Sequence, residues 1–264
     1  MRSIIADLVC SVAEEEVLSR FLKVGANFKT DGSLLTEADL AAQKAFVYKL
    51  PQIINAPVLG EEMIEYEQRA LWQQHAQTGL WIVDPVDGTN NFLNGIPHFA
   101  LSVAFIREGK PEYAVTYDPI KKECFSAKAG EGAWLNQERL PIKQHQKTLR
   151  QAMLVADNRY VRPGRLLGRL HALRPFGSQR TTGCCTLDWA YIAAGRFDIT
   201  VSSAQKLWDY AAGALILQEA GGFIATQEGD DFWSGKHTWK RSVIAALQEP
   251  LFRDWVRWVR QNQD

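Results

Sequence analysis

The spacing of apolar residues along the chain changes several times between helical periodicity and short apolar runs. Apolar residues recur at helical spacing over 3–22, which predicts an opening amphipathic helix. Short, mainly apolar runs that end at glycine, proline or aspartate predict strands instead. The predicted strands cover 57–60, 80–83, 100–106, 112–117, 123–127, 152–156, 197–201, 223–225 and 242–246, and further helices cover 163–172, 187–194, 211–220 and 250–260.

The order of the predicted elements separates the chain into two halves. The strands between 100 and 127 follow one another with only short turns between them, which is typical of an antiparallel meander. After residue 151, strands and helices interleave, which indicates a mixed sheet covered by helices. We therefore predict an α/β (α+β) fold with a single domain over 1–264. Sub-halves at 1–143 and 151–264 would be joined by a polar segment.

Composition and charge exclude several classes of partner. The 264 residues are 46% hydrophobic, enough for a full core, and their 30 basic and 30 acidic side chains give no net charge to attract nucleic acid or anionic lipid. No apolar run approaches the roughly 18 residues of a membrane span. Asp7 and three consecutive glutamates from Glu14 contradict a secretory signal. We expect a cytoplasmic protein with a small-molecule partner, without direct nucleic-acid or membrane binding.

Two carboxylates, Asp84 and Asp87, leave an apolar strand and run directly into the turn Gly88-Thr89. Mg²⁺ prefers oxygen ligands and commonly completes its coordination with a substrate phosphate, so paired Asp side chains beside free backbone N–H groups suit it. A plain Asp-Gly turn explains the end of this segment as well. The pattern therefore predicts a divalent-metal phosphate site only if other acids join it.

Three further acidic residues stand at the ends of predicted elements. Glu61 follows a predicted strand, and Asp209 opens an alanine-rich helix. Ligands commonly collect at the carboxyl ends of strands, so these acids are predicted to converge with Asp84. A second predicted helix begins at Thr36, and Asp39, three residues later, fits its capping box, so a purely structural role explains Asp39 equally well.

Together these segments resemble the inositol monophosphatase family of metal-dependent, lithium-sensitive sugar-phosphate phosphatases. The resemblance extends over nearly the whole chain and also takes in Thr36-Glu-Ala-Asp39, Gly95-Ile-Pro97, Gly130-Glu-Gly132-Ala133-Trp, Arg180-Thr-Thr-Gly183 and Ala193-Ala-Gly195-Arg196. It implies a layered αβαβα sandwich of the sugar-phosphatase type, with an antiparallel sheet in the first half and a mixed sheet in the second. It also implies a homodimer.

The resemblance implies a hydrolase with two or three Mg²⁺ ions per site, in which metal-activated water attacks a phosphate monoester in line. Asp84 is the implied bridge between two ions. The implied metal ligands are Glu61, Asp84, the Val86 carbonyl, Asp87 and Asp209. Thr89, hydrogen-bonded to Asp39, is implied to orient and deprotonate the attacking water together with Glu61.

Substrate contacts follow from the same resemblance. Ser202 stands where inositol-preferring relatives carry an acidic residue that grips substrate hydroxyls. We expect inositol monophosphate or a related sugar or polyol phosphate, with histidinol phosphate, fructose 1,6-bisphosphate and 3′-phosphoadenosine 5′-phosphate as alternatives. The implied contact residues are Asp87, Gly88, Thr89, Gly183, Cys184, Cys185 and Asp209. For the two thiols themselves, packing is the favoured interpretation.

Other phosphatase chemistries do not fit the sequence. Pro85 occupies the place where a haloacid-dehalogenase phosphatase carries its nucleophilic aspartate. No cysteine is followed six residues later by arginine, which excludes a thiolate phosphatase. An alternative of another class keeps this fold but serves as a regulatory, protein-binding member involved in RNA metabolism, as some relatives suggest.

Overall fold

The computed structural model describes residues 1–23, 25–28, 34–141, 146–157, 161, 164–229, 231–233 and 239–263. Its α-helices are α1 (Arg2–Val12), α2 (Glu37–Lys49), α3 (Glu65–His75), α4 (Thr89–Leu93), α5 (Arg165–Leu173), α6 (Cys185–Ala193), α7 (Leu207–Glu219) and α8 (Glu249–Asn262). Its strands are β1 (Ala26–Phe28), β2 (Leu34–Thr36), β3 (Val58–Gly60), β4 (Leu80–Asp87), β5 (Ala100–Arg107), β6 (Lys110–Asp118), β7 (Glu123–Lys128), β8 (Gly132–Leu135), β9 (Glu138–Arg139), β10 (Met153–Val155), β11 (Ser178–Arg180), β12 (Ile199–Lys206), β13 (Phe223–Ala225) and β14 (Lys240–Ala246).

Seven strands, β3 to β9, form one sheet in chain order. β3 and β4 are parallel, and every later pair is antiparallel. Side chains alternate between the two faces along β4. Trp81 and Val83 join the apolar cluster beneath α1 and α2, whereas Leu80 and Ile82 join the cluster that contains α6 and α7. Because both faces are apolar, the sheet is stable only with helices on each side.

The second sheet has five strands in the order β11-β10-β12-β14-β13. β10 is parallel to both of its neighbours, whereas β14 is antiparallel to both of its own, so the predicted mixed sheet is confirmed. Along β14, Val243 and Ala245 belong to the cluster shared with α6 and α7, and Ile244 and Ala246 belong to the cluster under α5 and α8.

The helices and sheets therefore stack in five layers. α1 and α2 cover the outer face of the first sheet, α6 and α7 fill the space between the sheets, and α5 and α8 cover the outer face of the second. The predicted αβαβα sandwich is confirmed. α6 and α7 are rich in alanine and almost entirely buried, as expected for helices in contact with apolar surfaces on both sides.

Several elements differ from the sequence pattern. The opening helix is α-helical only to Val12, and a π-helical turn at Ala13–Val17 and a 3-10 turn at Leu18–Arg20 continue it. The wider π turn brings Val17 back to the buried face of Val12, which regular α-helical spacing would not do. β4 continues beyond the predicted strand to Asp87. The predictions omit α3, in which only Gln68 is buried, and the short strands β1, β2, β8, β9 and β11.

Two predictions fall partly outside the described residues. The polar segment predicted near 143–150 lies outside the described residues at 143–145, and the predicted helix 163–172 does so at residue 163. Among the helices that the structure describes, none combines the length and apolarity that crossing a bilayer requires.

Gly213 lies where α7 packs on α6, and a Cβ atom there would meet Trp189 Cβ at 2.3 Å and Cγ at 2.5 Å. Trp189 is fully buried between the two sheets, so it has little room to move. We expect Gly213→Ala to lower the free energy of unfolding by about 1–3 kcal/mol, because the added methyl group forces the helices apart. Urea unfolding followed by circular dichroism measures the change.

Gly168→Ala is the matched control for this helix pair. Gly168 lies in the exposed face of α5, and apart from its chain neighbours and its own helix backbone no described atom lies within 4 Å of the Cβ position. Because alanine has the higher helix propensity, we expect a gain of about 0.5–1 kcal/mol. If Gly213→Ala and Gly168→Ala lowered the free energy of unfolding by similar amounts, the packing argument at Gly213 would be wrong.

Candidate active site

Residues from both sheets line one cavity of about 390 Å³, at the ends of β3 and β4 and the starts of α4, α6 and α7. Four acidic side chains named from the sequence lie on its wall: Glu61, Asp84, Asp87 and Asp209. The other predicted site residues on the wall are Val86, Gly88, Thr89, Gly183, Cys184 and Cys185. Of the predicted set, Asp39 stands outside the lining, behind Thr89.

An irregularity in β4 orients the side chains of Asp84 and Asp87 towards this cavity. Against β5, Asp84 pairs with Ser102 and Asp87 with Ala100, so three steps along β4 match two steps along β5. In a regular strand, residues three apart point to opposite faces of the sheet. The extra residue is a β-bulge that returns both side chains to one side. Pro85 lies inside the bulge, where its missing N–H group is tolerated.

The carboxyl group of Asp84 gives the clearest sign of a cation site. Its side chain is 1% exposed, and Oδ1 has no hydrogen-bond partner among the described residues. Burial raises the pKa of Asp84 well above its usual value, and the charges of Glu61, Asp87 and Asp209 raise it further. A buried, unpartnered carboxylate oxygen among other carboxylates needs a cation to compensate it. This all-oxygen donor set fits a hard ion such as Mg²⁺.

Glu61 follows β3, and its backbone is held from two sides. Its N–H group donates to the Val83 carbonyl at 3.1 Å. Gln68 of α3 is 4% exposed and donates through Nε2 to the carbonyls of Gly60 at 2.9 Å and Glu61 at 3.1 Å. Sequence reasoning misses Gln68, because α3 is polar and a single glutamine in it is not distinctive.

Asp209 stands in the first turn of α7, where Oδ2 accepts the Lys206 N–H at 2.8 Å. Burial raises the pKa of Asp209 well above its usual value, the carboxylates of Asp87 and Glu61 raise it further, and Lys206 opposes them. The residue therefore caps a helix and presents a carboxyl group to the cavity at the same time.

Thr89 contacts Asp39 as the family resemblance implies, and Asp39 also serves as a helix cap. Thr89 Oγ1 lies 3.4 Å from Asp39 Oδ1 and donates more closely to the Val86 carbonyl, at 3.0 Å. Asp39 Oδ2 accepts the Thr36 N–H at 2.8 Å and the Thr36 hydroxyl, which completes the capping box of α2. The two interpretations of Asp39 are compatible, because each uses a different carboxyl oxygen.

Two glycines shape the turns beside the acids. Gly88 has φ 88° and Gly183 has φ 79°, both in the left-handed region. A Cβ atom would approach the His98 carbonyl to 3.1 Å at the first position and Asn91 Nδ2 to 3.1 Å at the second. Asn91 Nδ2 joins the two turns, because it donates to the carbonyls of His98 at 2.7 Å and Thr182 at 2.9 Å.

The start of α6 contacts Asp87 directly. Cys184 Sγ lies 3.2 Å from Asp87 Oδ2, so packing is only part of the role of this thiol. Thr186, absent from the predicted site, donates to the same oxygen through its backbone N at 2.7 Å and Oγ1 at 2.8 Å. Burial raises the pKa of the Cys184 and Cys185 thiols well above their usual range, so both stay protonated.

The acids share a cavity without converging on one point. In the part of the chain that the structure describes, no three His, Cys, Asp or Glu side chains are placed to hold a single ion. Asp87 is turned towards α6, and Asp209 is held by the backbone of Lys206. Repulsion between like charges at low dielectric favours this separation. Side chains about Asp84 would have to move to close the set around a cation.

The second sheet supplies the opposite wall of the cavity. β12 has a bulge of its own, because Ser202 pairs with Val243 and Gln205 with Arg241. Ser202 and Gln205 both line the cavity, as does Asp188 of α6. Thr182 Oγ1 donates to Asp188 Oδ1 at 2.6 Å. The cavity wall therefore carries polar side chains in addition to the four predicted acids.

Comparison with known proteins places these features in one family. The sequence profile of the Inositol monophosphatase family matches residues 4–261. The chain is 39% identical over 229 residues to the Inositol-1-monophosphatase of Caulobacter vibrioides, covering 84% of this chain and 85% of that protein. It is 36% identical over 219 residues to the Nus factor SuhB of Pseudomonas aeruginosa, covering 80% and 79%.

A solved structure shows the same fold. The extragenic suppressor protein suhB from Bartonella henselae superposes with a TM-score of 0.82 at 27% identity, covering 99% of this chain and 98% of that one. The profile match over almost the entire length, together with these relatives, establishes the relationship. The chain therefore belongs to the inositol monophosphatase family and is a hydrolase of the phosphatase class.

Proposed function

We propose that this chain is a magnesium-dependent phosphatase of small phosphorylated metabolites, with inositol monophosphate or a related sugar or polyol phosphate as its substrate. The observation that carries the proposal is the buried Oδ1 of Asp84, which no described residue contacts by a hydrogen bond. It faces a cavity that Glu61, Asp87 and Asp209 also line. A cation bound there would compensate this charge and attract a phosphate dianion.

The residues that would hold two or three Mg²⁺ ions are Glu61, Asp84, the Val86 carbonyl, Asp87 and Asp209. Bound magnesium supplies an activated water nucleophile and neutralises charge on the leaving oxygen. Thr89 Oγ1 lies between Asp39 Oδ1 and the Val86 carbonyl, and it would take a proton from the attacking water while its own proton passes to Asp39 Oδ1. Glu61 assists from the end of β3, where Gln68 fixes its backbone.

The substrate's non-phosphate part would lie against the Gly183-Cys184-Cys185 segment and the wall formed by the second sheet. Ser202 offers a hydroxyl there in place of an acid, while Asp188 adds a carboxyl group from α6. Hydroxyls and carboxylates both hydrogen-bond to sugar or polyol hydroxyls. This wall supports a polyol phosphate in general more than inositol in particular.

A phosphate-release panel with Mg²⁺ tests the proposed function. Inositol 1-phosphate and other sugar or polyol phosphates are compared with histidinol phosphate, fructose 1,6-bisphosphate and 3′-phosphoadenosine 5′-phosphate. We expect the sugar and polyol group to have the highest kcat/KM, by at least about tenfold, or about 1.4 kcal/mol. Chelation of the metal should stop release, and Li⁺ added with Mg²⁺ should inhibit it. Release that is independent of Mg²⁺, or no release from any compound, would refute the proposal.

A regulatory role is the second candidate, favoured by the similarity to proteins named Nus factor SuhB. Such a role would rest on contacts with a larger partner and not on turnover. It predicts a stable complex with a protein or nucleoprotein partner that forms equally well with an Asp84→Asn variant.

A homodimer, expected from the family resemblance, is tested by sedimentation.

A further inference from the structure

Thr186 forms a hydrogen-bonded link between α6 and Asp87 that spans 99 positions of the chain. The backbone N–H donates to Asp87 Oδ2 at 2.7 Å, and the hydroxyl donates to the same oxygen at 2.8 Å. Cys184 Sγ lies 3.2 Å from that oxygen. Three donor groups therefore gather on one carboxylate oxygen.

The second carboxylate oxygen of Asp87 has a different environment. Oδ1 accepts no hydrogen bond from the described residues, although the side chain lines the cavity. Donors concentrated on one oxygen fix the rotation of a carboxyl group and leave the other oxygen for a ligand. Partners of this kind orient metal-binding side chains, and their loss reduces metal affinity by roughly 10- to 100-fold.

We infer that Thr186 is a positioning residue that sets the orientation of the Asp87 carboxylate for a divalent cation. This inference rests on the proposed function. Thr186 is fully buried and held in α6, so its hydroxyl is placed before any ligand arrives. The bulge in β4 determines the direction in which Asp87 leaves the first sheet, and Thr186 determines which oxygen faces the cavity.

The test is a magnesium-binding isotherm, measured by calorimetry without substrate. Thr186→Val keeps the volume and removes the hydroxyl, and we expect its Kd for Mg²⁺ to rise about tenfold. Thr186→Ser retains the hydroxyl and should bind within about twofold of wild type. At saturating Mg²⁺, kcat of Thr186→Val should recover towards wild type, because the defect lies in cation binding.

Thr116→Val is the matched control. Thr116 is also fully buried, and its Oγ1 has no hydrogen-bond partner within the described ranges, so the same substitution should leave the isotherm unchanged. If Thr186→Val does not fold, Thr186→Ala carries the same expectation. An isotherm for Thr186→Val or Thr186→Ala equal to wild type would overturn this inference alone. A wild-type protein that neither binds Mg²⁺ nor releases phosphate would overturn both this inference and the proposed function.

Discussion

Asp84→Asn is expected to lower kcat/KM by at least on the order of 1,000-fold, or about 4 kcal/mol of transition-state stabilisation, because it removes the anionic oxygen that we propose as the central metal ligand. The same substitution is expected to raise the thermal unfolding midpoint of the metal-free protein. Asp84 is buried, and its Oδ1 has no hydrogen-bond partner among the described residues. Burial raises the pKa of Asp84, and four neighbouring carboxylates raise it further. An amide of similar shape removes that charge.

The sign of the pH dependence follows from this raised pKa. The folded state binds the Asp84 proton more tightly than the unfolded state, so the contribution to stability is fully present below the unfolded value of about 3.9 and is lost as pH rises through the folded pKa. The advantage of Asp84→Asn should therefore be largest at neutral pH and shrink on acidification. Thermal melts with a chelator from about pH 4.5 to 8 measure it, with an expected gain of at least about 3 °C at neutral pH, or roughly 1 kcal/mol.

Asp118→Asn provides the matched control for stability. Asp118 is fully buried like Asp84, but its carboxylate accepts the backbone N–H groups of Ile120 and Lys121, both at 3.0 Å, and pairs with Lys121 Nζ at 2.8 Å. Removing this charge takes away the ion-pair partner of Lys121 and leaves only its hydrogen bond to the Tyr191 hydroxyl, so the midpoint should fall. A metal-free Asp84→Asn protein that melts below wild type at neutral pH would contradict the account of Asp84.

Thr89→Ala is expected to lower kcat by on the order of 100- to 1,000-fold while KM stays close to wild type. Thr89 Oγ1 lies between Asp39 Oδ1 at 3.4 Å and the Val86 carbonyl at 3.0 Å. We propose that it passes a proton from the attacking water to Asp39 during the chemical step and adds little to ground-state binding. Steady-state kinetics at saturating Mg²⁺ separate the two parameters.

Thr89→Ser retains the hydroxyl and should recover most of the turnover. Asp39→Asn should reproduce part of the kcat defect, although it also weakens the capping box of α2 and so requires a melting curve beside the kinetics. If Thr89→Ala raised KM and left kcat unchanged, Thr89 would be a phosphate-binding group and the proton-transfer role would be wrong.

Sequence reasoning identifies the acids because their chemistry is local. Asp84 and Asp87 stand in one short segment beside Gly88, and the Thr36 capping box is confirmed at the start of α2. The β4 bulge is not visible in the sequence, because it depends on the register against β5. Only that register shows why two aspartates three positions apart face the same cavity.

Long-range contacts define the rest of the site, and they leave no periodic signal. Thr186 meets Asp87, and Gln68 meets the Glu61 carbonyl, only after separate elements have packed. α3 itself has few buried positions, so its hydrophobic pattern is too weak to predict. The middle layer is different, since the mainly apolar sequences of α6 and α7 indicate burial directly.

The pairing of Gly213 with Trp189 has a consequence for specificity. Each stands one helical turn beyond a cavity residue of its own helix, since Gly213 follows Asp209 and Trp189 follows Cys185. Neither residue lines the cavity, so their packing in the interior contributes to the separation of the cavity residues on the two helices. Family members could widen or narrow that separation by exchanging interior residues alone, and so acquire new preferences while the acids stay unchanged.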